Sequence, residues 1–188
     1  DGWEKRGCNT DLCRCKFAVM NPELTYTLPE YQTESGCVDI IMHTMERYFN
    51  QAENMELTDG ISEHLMRTVM KCAKILKKDP TNYNARAEVM WASSLSHNGL
   101  TGCGTDGGDW ASHQLEHELG GMFDVAHGAG LAAIWGSFAR YVYKANPMRF
   151  AKFAVKVHGI AASGKDLNAL PPEELDTLAL AGIKAMEN

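Results

Sequence analysis

With 188 residues, 45% of them hydrophobic, and a net charge of −6, the chain is long enough to bury one sizeable globular core. Its lysines and arginines are scattered, which argues against a nucleic-acid partner or an anionic lipid surface, and no run of 18 apolar residues offers a membrane span. No signal-peptide pattern opens the chain, and Asp1 is not a translation start, so the N-terminus is expected to have been cut from something longer.

Residues 1–34 are mixed in character. The apolar run at residues 16–20, around Phe17, Ala18 and Val19, predicts a short strand, and Asn21, Pro22 and Pro29 break regular structure after it. From residue 36 the pattern is helical. Val38, Ile41, Met42, Met45 and Tyr48 recur at helical spacing as far as about residue 49. Thr58 and Asp59 start a second helix with Ile61, Leu65, Val69, Cys72 and Ile75 as its apolar stripe. It ends at Lys77 and Lys78 before Pro80. A third helix is expected from about residue 82 to 98, ended by Gly99.

A glycine-rich turn follows at residues 102–108. Asp109 is the expected cap of a fourth helix carrying Trp110, His113 and His117, which Gly120 and Gly121 are expected to break. Residues 127–144 are apolar on several faces and read as a central helix. Pro147 and then Pro171 and Pro172 open two more, the last with Glu173 and Glu174 in its first turn. The expected fold is therefore all-α: a connecting segment at residues 1–34, then a domain of about seven helices at residues 35–188.

Six cysteines are present. Cys37 and Cys72 fall among apolar helical positions and read as small buried hydrophobes. Cys8, Cys13 and Cys15 are spaced C-x4-C-x-C, without the C-x2-C spacing or the fourth ligand of a zinc knuckle. They read as reduced cytoplasmic thiols in a loop. Residues 102–107 match G-x-G-x-x-G, but the segment before them reads as a helix rather than a strand, so the match is taken as a helix–helix turn.

Two pairs of metal-type ligands stand at i, i+4 spacing: Asp39 with His43, and His113 with His117. His127 follows ten residues after the second pair. Such pairs share a helix face, so the two together can close a polar site with three or four imidazole or carboxylate ligands. Asp39 and His43 interrupt an apolar stripe, where an unpaired charge is costly, and His127 stands at a helix start beside Gly128. His64, His97 and His158 have no such context. Residues 113–117 also match H-x-x-E-H, in which both histidines bind zinc and the glutamate activates water. That reading needs a further carboxylate ligand, for which Glu173 and Glu174 are candidates by count alone, and it leaves Asp39 unused. A third reading is a helical interaction domain without catalysis.

Several stretches carry a resemblance. They are residues 25–29 (Thr25, Tyr26, Thr27, Leu28, Pro29), then Gly36, and Asp39-x3-His43-x2-Glu46-x-Tyr48. They continue with Asn98-Gly99-Leu100, Asp109-Trp110-Ala111-x-His113-x2-Glu116-His117 and Ala126-His127-Gly128. Together they resemble the helical domain of iron-containing alcohol dehydrogenases, most closely the butanol dehydrogenase branch. The resemblance implies that Asp39, His43, His113 and His127 bind the metal, Fe(2+) or Zn(2+), and that His117 lies near the reacting carbon and the nicotinamide. It implies reversible oxidation of a small alcohol to an aldehyde or ketone with NAD(P), in the cytoplasm, by a protein that is a homodimer at full length. The family's N-terminal nucleotide-binding domain has no counterpart in these residues. The chain alone is therefore expected to be inactive, with an exposed apolar face where that domain would dock.

Overall fold

The structure, a computed structural model, describes residues 6–8, 10–162, 164 and 166–188. Seven α-helices follow one another: α1 (Glu30–Tyr48), α2 (Glu56–Leu76), α3 (Tyr83–His97), α4 (Ala111–Phe123), α5 (His127–Val142), α6 (Pro147–Lys156) and α7 (Pro172–Glu187), with short 3-10 turns between some of them. No strand occurs among the described residues. Residues 16–20, expected as a strand, are irregular, and Phe17 and Val19 are 81% and 84% exposed. An extended segment without a neighbouring strand has nothing to pair its backbone with.

Two helix boundaries also differ from expectation. α1 begins at Glu30, directly after Pro29, because nothing between Glu30 and Gly36 interrupts it. α4 runs through Gly120 and Gly121 and stops at Phe123, where Asp124 turns into the left-handed region at φ 52°. A helical glycine costs about 1 kcal/mol, which continued packing against α5 outweighs. Elsewhere the caps follow the sequence. Asn82 accepts from the Ala85 N–H to start α3, and Asn146 accepts from the Arg149 N–H ahead of Pro147 in α6.

α1 is the helix around which the others arrange, packing on α2, α3 and α5. Its apolar face, with Ile40, Ile41, Met45 and Tyr48, meets Leu65, Met66 and Val69 of α2, Leu131 and Trp135 of α5, and Phe150 and Phe153 of α6 in one core. α5 contacts α1, α4 and α7, yet Tyr141 on its outer face is 87% exposed. At its first turn, a Cβ on Gly128 would collide with the Ser35 backbone carbonyl of α1, so only glycine lets α5 seat this closely.

A buried ion network closes α1, α2 and α6 together. Arg149 donates to both carboxylate oxygens of Asp59 at 2.5 Å and to the Tyr48 carbonyl at 2.6 Å, and its guanidinium lies 4.3 Å over the Tyr48 ring. Lys152 also donates to Asp59, and the Tyr48 hydroxyl donates to Glu63 at 3.0 Å. Glu63 neighbours His64 in sequence. It is 6% exposed, turned inward by this hydrogen bond.

Candidate metal centre

Asp39, His43 and Glu46 form a second stripe of α1, one turn apart and turned away from the apolar core. His113 arrives from the first turn of α4 and His127 from the first residue of α5. Asp39 Oδ1 is the point where they meet. It lies 3.7 Å from His43 Nε2, 3.6 Å from His113 Nε2 and 3.4 Å from His127 Nε2. Ligands about 2.0–2.2 Å from a common tetrahedral ion are separated from one another by roughly 3.3–3.6 Å. The separations from His113 and His127 match that spacing, that from His43 lies 0.1 Å beyond it, and all three are long for hydrogen bonds. Asp39 Oδ1 and His113 Nε2 are buried and make no hydrogen bond. A converging set of one carboxylate and three imidazole groups with orphaned inner atoms fits a divalent cation.

The outer atoms of the same side chains are held. Glu46 Oε1 accepts from His113 twice, from Nδ1 at 3.1 Å and from the backbone N–H at 3.2 Å. Glu116, fully buried, bonds His127 Nδ1. His97 stacks on His43 with ring centres 3.8 Å apart and brings its Nε2 to 3.4 Å from Asp39 Oδ2. Arg47 donates to the carbonyls of His43 and Ser96 and lies 4.7 Å over the Trp110 ring, fixing the end of α3 and the start of α4 to α1.

Burial acts to raise the Asp39 carboxyl, but the imidazoles of His113 and His97, with His43 and His127 beyond, outweigh it and hold the group well below the ordinary carboxylate range. Burial and the neighbouring His97 push His43 down to about 3. Burial also acts to lower His113, but the facing Asp39 and Glu46 carboxylates carry it up to about 8. The cluster thus holds a carboxylate that stays ionised beside imidazoles of very different basicity, which a cation would replace as the countercharge.

His117 lies one turn beyond His113, is 44% exposed, and stacks on His127 at 5.3 Å. With Glu116 and His127 it forms a second close grouping beside that of Asp39, His43 and His113, and His127 joins the two through its Nε2 facing Asp39. An open cavity of about 1070 Å³ is lined by His43, His97, His113, His117 and His127, and the segment before α1 crosses its rim through Cys8, Thr10, Cys13 and Arg14. Cys8, Cys13, Cys15 and Cys103 are exposed and Cys37 and Cys72 buried, with no disulfide among them. The structure therefore brings His43, His113, His117 and His127 to one cavity, with Asp39 against three of these imidazoles, and adds three residues that sequence reasoning did not select. For Glu46 and Glu116 the signal was their place within the recognised motifs. For His97 it was the Asn98-Gly99 turn directly after it, where Gly99 at φ 92° reverses the chain.

The Fe-containing alcohol dehydrogenase family, C-terminal region, matches residues 33–181. NADH-dependent butanol dehydrogenase A of Clostridium acetobutylicum is 40% identical over 158 residues, covering 84% of this chain and 40% of the relative. NADPH-dependent aldehyde reductase YqhD of Escherichia coli is 34% identical over 150 residues, covering 80% and 38%. The crystal structure of NADH-dependent butanol dehydrogenase A from Thermotoga maritima superposes with a TM-score of 0.79 at 38% identity, over 88% of this chain and 39% of that one. The chain spans about two-fifths of the length of such relatives. It belongs to the iron-containing alcohol dehydrogenase family and carries that family's C-terminal helical domain.

Proposed function

We propose that Asp39, His43, His113 and His127 hold Fe(2+) or Zn(2+) in the metal-binding domain of an NAD(P)-dependent alcohol dehydrogenase, which interconverts a small alcohol and its aldehyde or ketone. The observation that carries this reading is the meeting of three Nε2 atoms on the unbonded Asp39 Oδ1. The printed names of the relatives, butanol dehydrogenases and an aldehyde reductase, support the substrate class and leave both NADH and NADPH open.

When bound, the metal supplies a Lewis acid for the alcohol or carbonyl oxygen and the nicotinamide carries the hydride. The chain's own residues do the rest. Asp39 gives the site a negative charge that stays ionised. His117, half-exposed in the cavity and off the converging set, orients the substrate and relays its hydroxyl proton. Residues 1–34 connect to a nucleotide-binding domain, and residues 35–188 form the metal-binding domain. The exposed Leu115, Met122, Phe123 and Val125, on and just beyond α4, support docking of that domain beside His117. On this reading the chain alone does not turn over substrate, and the full-length protein works as a homodimer in the cytoplasm.

The H-x-x-E-H peptidase reading needs Glu116 to reach water as a base. Glu116 is fully buried against His127, which argues against it. Elemental analysis of chain purified without chelators separates the two. The dehydrogenase reading expects one divalent metal per chain, lost in Asp39→Ala. Full metal content in Asp39→Ala would overturn the proposed ligand set.

A further inference from the structure

Two of the imidazoles in the cluster are gripped from behind by buried carboxylates that no part of the proposed reaction uses. His113 meets Glu46 of α1, and His127 meets Glu116 of α4. The two glutamates are 6% and 0% exposed, and neither lines the cavity. We propose that Glu46 and Glu116 are positioning residues: each accepts the Nδ1–H of its histidine, fixing the tautomer in which Nε2 carries a lone pair aimed at the Asp39 Oδ1 side of the cavity. This inference rests on the metal reading above and assigns the residues that make it selective.

The geometry for Glu46 is bidirectional. One oxygen, Oε1, takes both the His113 side-chain proton and the His113 backbone N–H, one of the free donors in the first turn of α4. Asp109 Oδ1 takes the Ala111 N–H at 2.7 Å, as its place before the helix predicts, while Trp110 at the N-cap makes no side-chain bond and sits in the left-handed region at φ 62°. A residue of α1 therefore adds a second acceptor to the first turn of α4, for the His113 N–H, and sets the ring direction in the same contact. The Asp109 N–H also reaches the Glu46 carbonyl, at 3.3 Å, so the backbone leading into α4 is tied to the same residue.

For Glu116 the support comes from α5. A Cβ on Gly130 would lie 2.8 Å from Glu116 Cγ and 2.9 Å from its Oε1, so the carboxylate occupies a notch that exists only because residue 130 has no side chain. The notch is one turn along α5 from His127, and it holds Glu116 against the ring on the face opposite Asp39. Carboxylates bonded to the far nitrogen of a metal-binding histidine fix the ring orientation and raise its basicity, and their loss costs about 10–100-fold in metal affinity.

The test uses zinc as the probe and two readouts on the 188-residue chain. Competition with a chromophoric chelator gives the zinc affinity, and proton–nitrogen NMR of the zinc-loaded chain follows the Nδ1–H of each histidine. Glu46→Leu and Glu116→Leu should each weaken zinc by about 10–100-fold. The Glu→Gln variants should lose less, because an amide oxygen still accepts the proton. The protected Nδ1–H signal should vanish for His113 only in the Glu46 variant and for His127 only in the Glu116 variant, a selectivity that loss of packing does not produce. Gly130→Ala, which moves Glu116 without changing it, should weaken zinc and disturb the His127 signal alone. It keeps the test decisive if a leucine variant fails to fold. Zinc uptake by wild type with unchanged affinity in the leucine variants and in Gly130→Ala would overturn the positioning role while leaving the metal reading standing. Absence of zinc uptake by wild type would overturn both.

Discussion

Two polar clusters hang on α1, and they differ in what they leave unmet. Around Asp59, both carboxylate oxygens receive donors from Arg149, one receives Lys152 as well, and Arg149 also bonds a carbonyl. Around Asp39, one oxygen faces three imidazole nitrogens at 3.4–3.7 Å and bonds none of them. Buried charge that is fully answered by the chain is a structural device, since each ion meets its partner inside the protein. Convergent ligand atoms left unanswered define a space for something the chain does not encode. The difference is also one of access: the Asp59 side chain is 4% exposed and the Asp39 side chain 23%.

The largest expected effect tests the unanswered cluster. His113→Ala removes a proposed ligand and should lower metal affinity by more than the roughly 10–100-fold of an outer contact. His117→Ala should leave metal content near wild type, because the imidazoles that face Asp39 Oδ1 are those of His43, His113 and His127. Activity of the full-length enzyme should still fall by about 10²–10⁴-fold if His117 moves the hydroxyl proton. Metal analysis of the two purified variants, with turnover in the longer protein, checks both. Equal metal loss in the two would erase the distinction between the residues.

The answered cluster should break differently. Arg149→Ala leaves the buried Asp59 with Lys152 as its one remaining cation, and removing one partner of a buried pair costs up to about 3–5 kcal/mol. Urea denaturation with and without added metal should show the same loss in both conditions. A loss that metal rescues would mean that the two clusters are coupled and that the comparison is misdrawn.

The i, i+4 pairs were legible because that spacing on one helix is a local property, visible as Asp39 with His43 and as His113 with His117, whereas the choice of His127 over His117 as a proposed ligand came from the family resemblance. The Asp59–Arg149 pair spans 90 positions and leaves no periodic trace. His97, Glu46 and Glu116 likewise acquire their roles only when three helices meet, so isolated inspection ranked His97 with His64. Helix number and order were legible from apolar stripes and caps. The misread points are places where packing overrides local preference, as at Gly120 and Gly121, or where an apolar run finds no partner, as at Phe17 and Val19.

A third, smaller effect is the pH dependence of the metal-free fold. His113 is raised to about 8, so the stability it contributes is present below the ordinary imidazole value of 6.5 and is lost as pH climbs through 8. His43 is lowered to about 3, so the folded state binds fewer protons than the unfolded chain between 6.5 and 3, and stability falls as pH drops through that window. Asp39, lowered as well, deepens the acid limb. Thermal melts of metal-free chain should therefore peak near the imidazole value, with an alkaline limb on the order of 1 kcal/mol. That limb should vanish in His113→Gln, and saturating zinc should reshape the profile because the metal displaces the same proton. An alkaline limb that survives His113→Gln would assign it elsewhere.

The smallest effect comes from the answered cluster, where charge itself is the least needed part. Burial raises the Glu63 carboxyl, although the Tyr48 hydroxyl bonds to it and Lys152 lies near. A carboxyl raised on folding stabilises the fold below its unfolded value and loses that contribution as pH rises. Glu63→Gln keeps an oxygen to accept from Tyr48 and removes the ionisation. It should be neutral near pH 4, where the native carboxyl is protonated, and become stabilising toward pH 7, by less than about 1 kcal/mol because the hydrogen bond is retained. Tyr48→Phe removes the donor and should destabilise at both pH values, by about 1–3 kcal/mol for an unmet buried acceptor. Chemical denaturation of both variants at the two pH values reads the sign directly. A Glu63→Gln chain that is less stable at pH 7 than at pH 4, each relative to wild type, would show that the ionised carboxylate is itself required, and that the cluster is held by charge rather than by its hydrogen bonds.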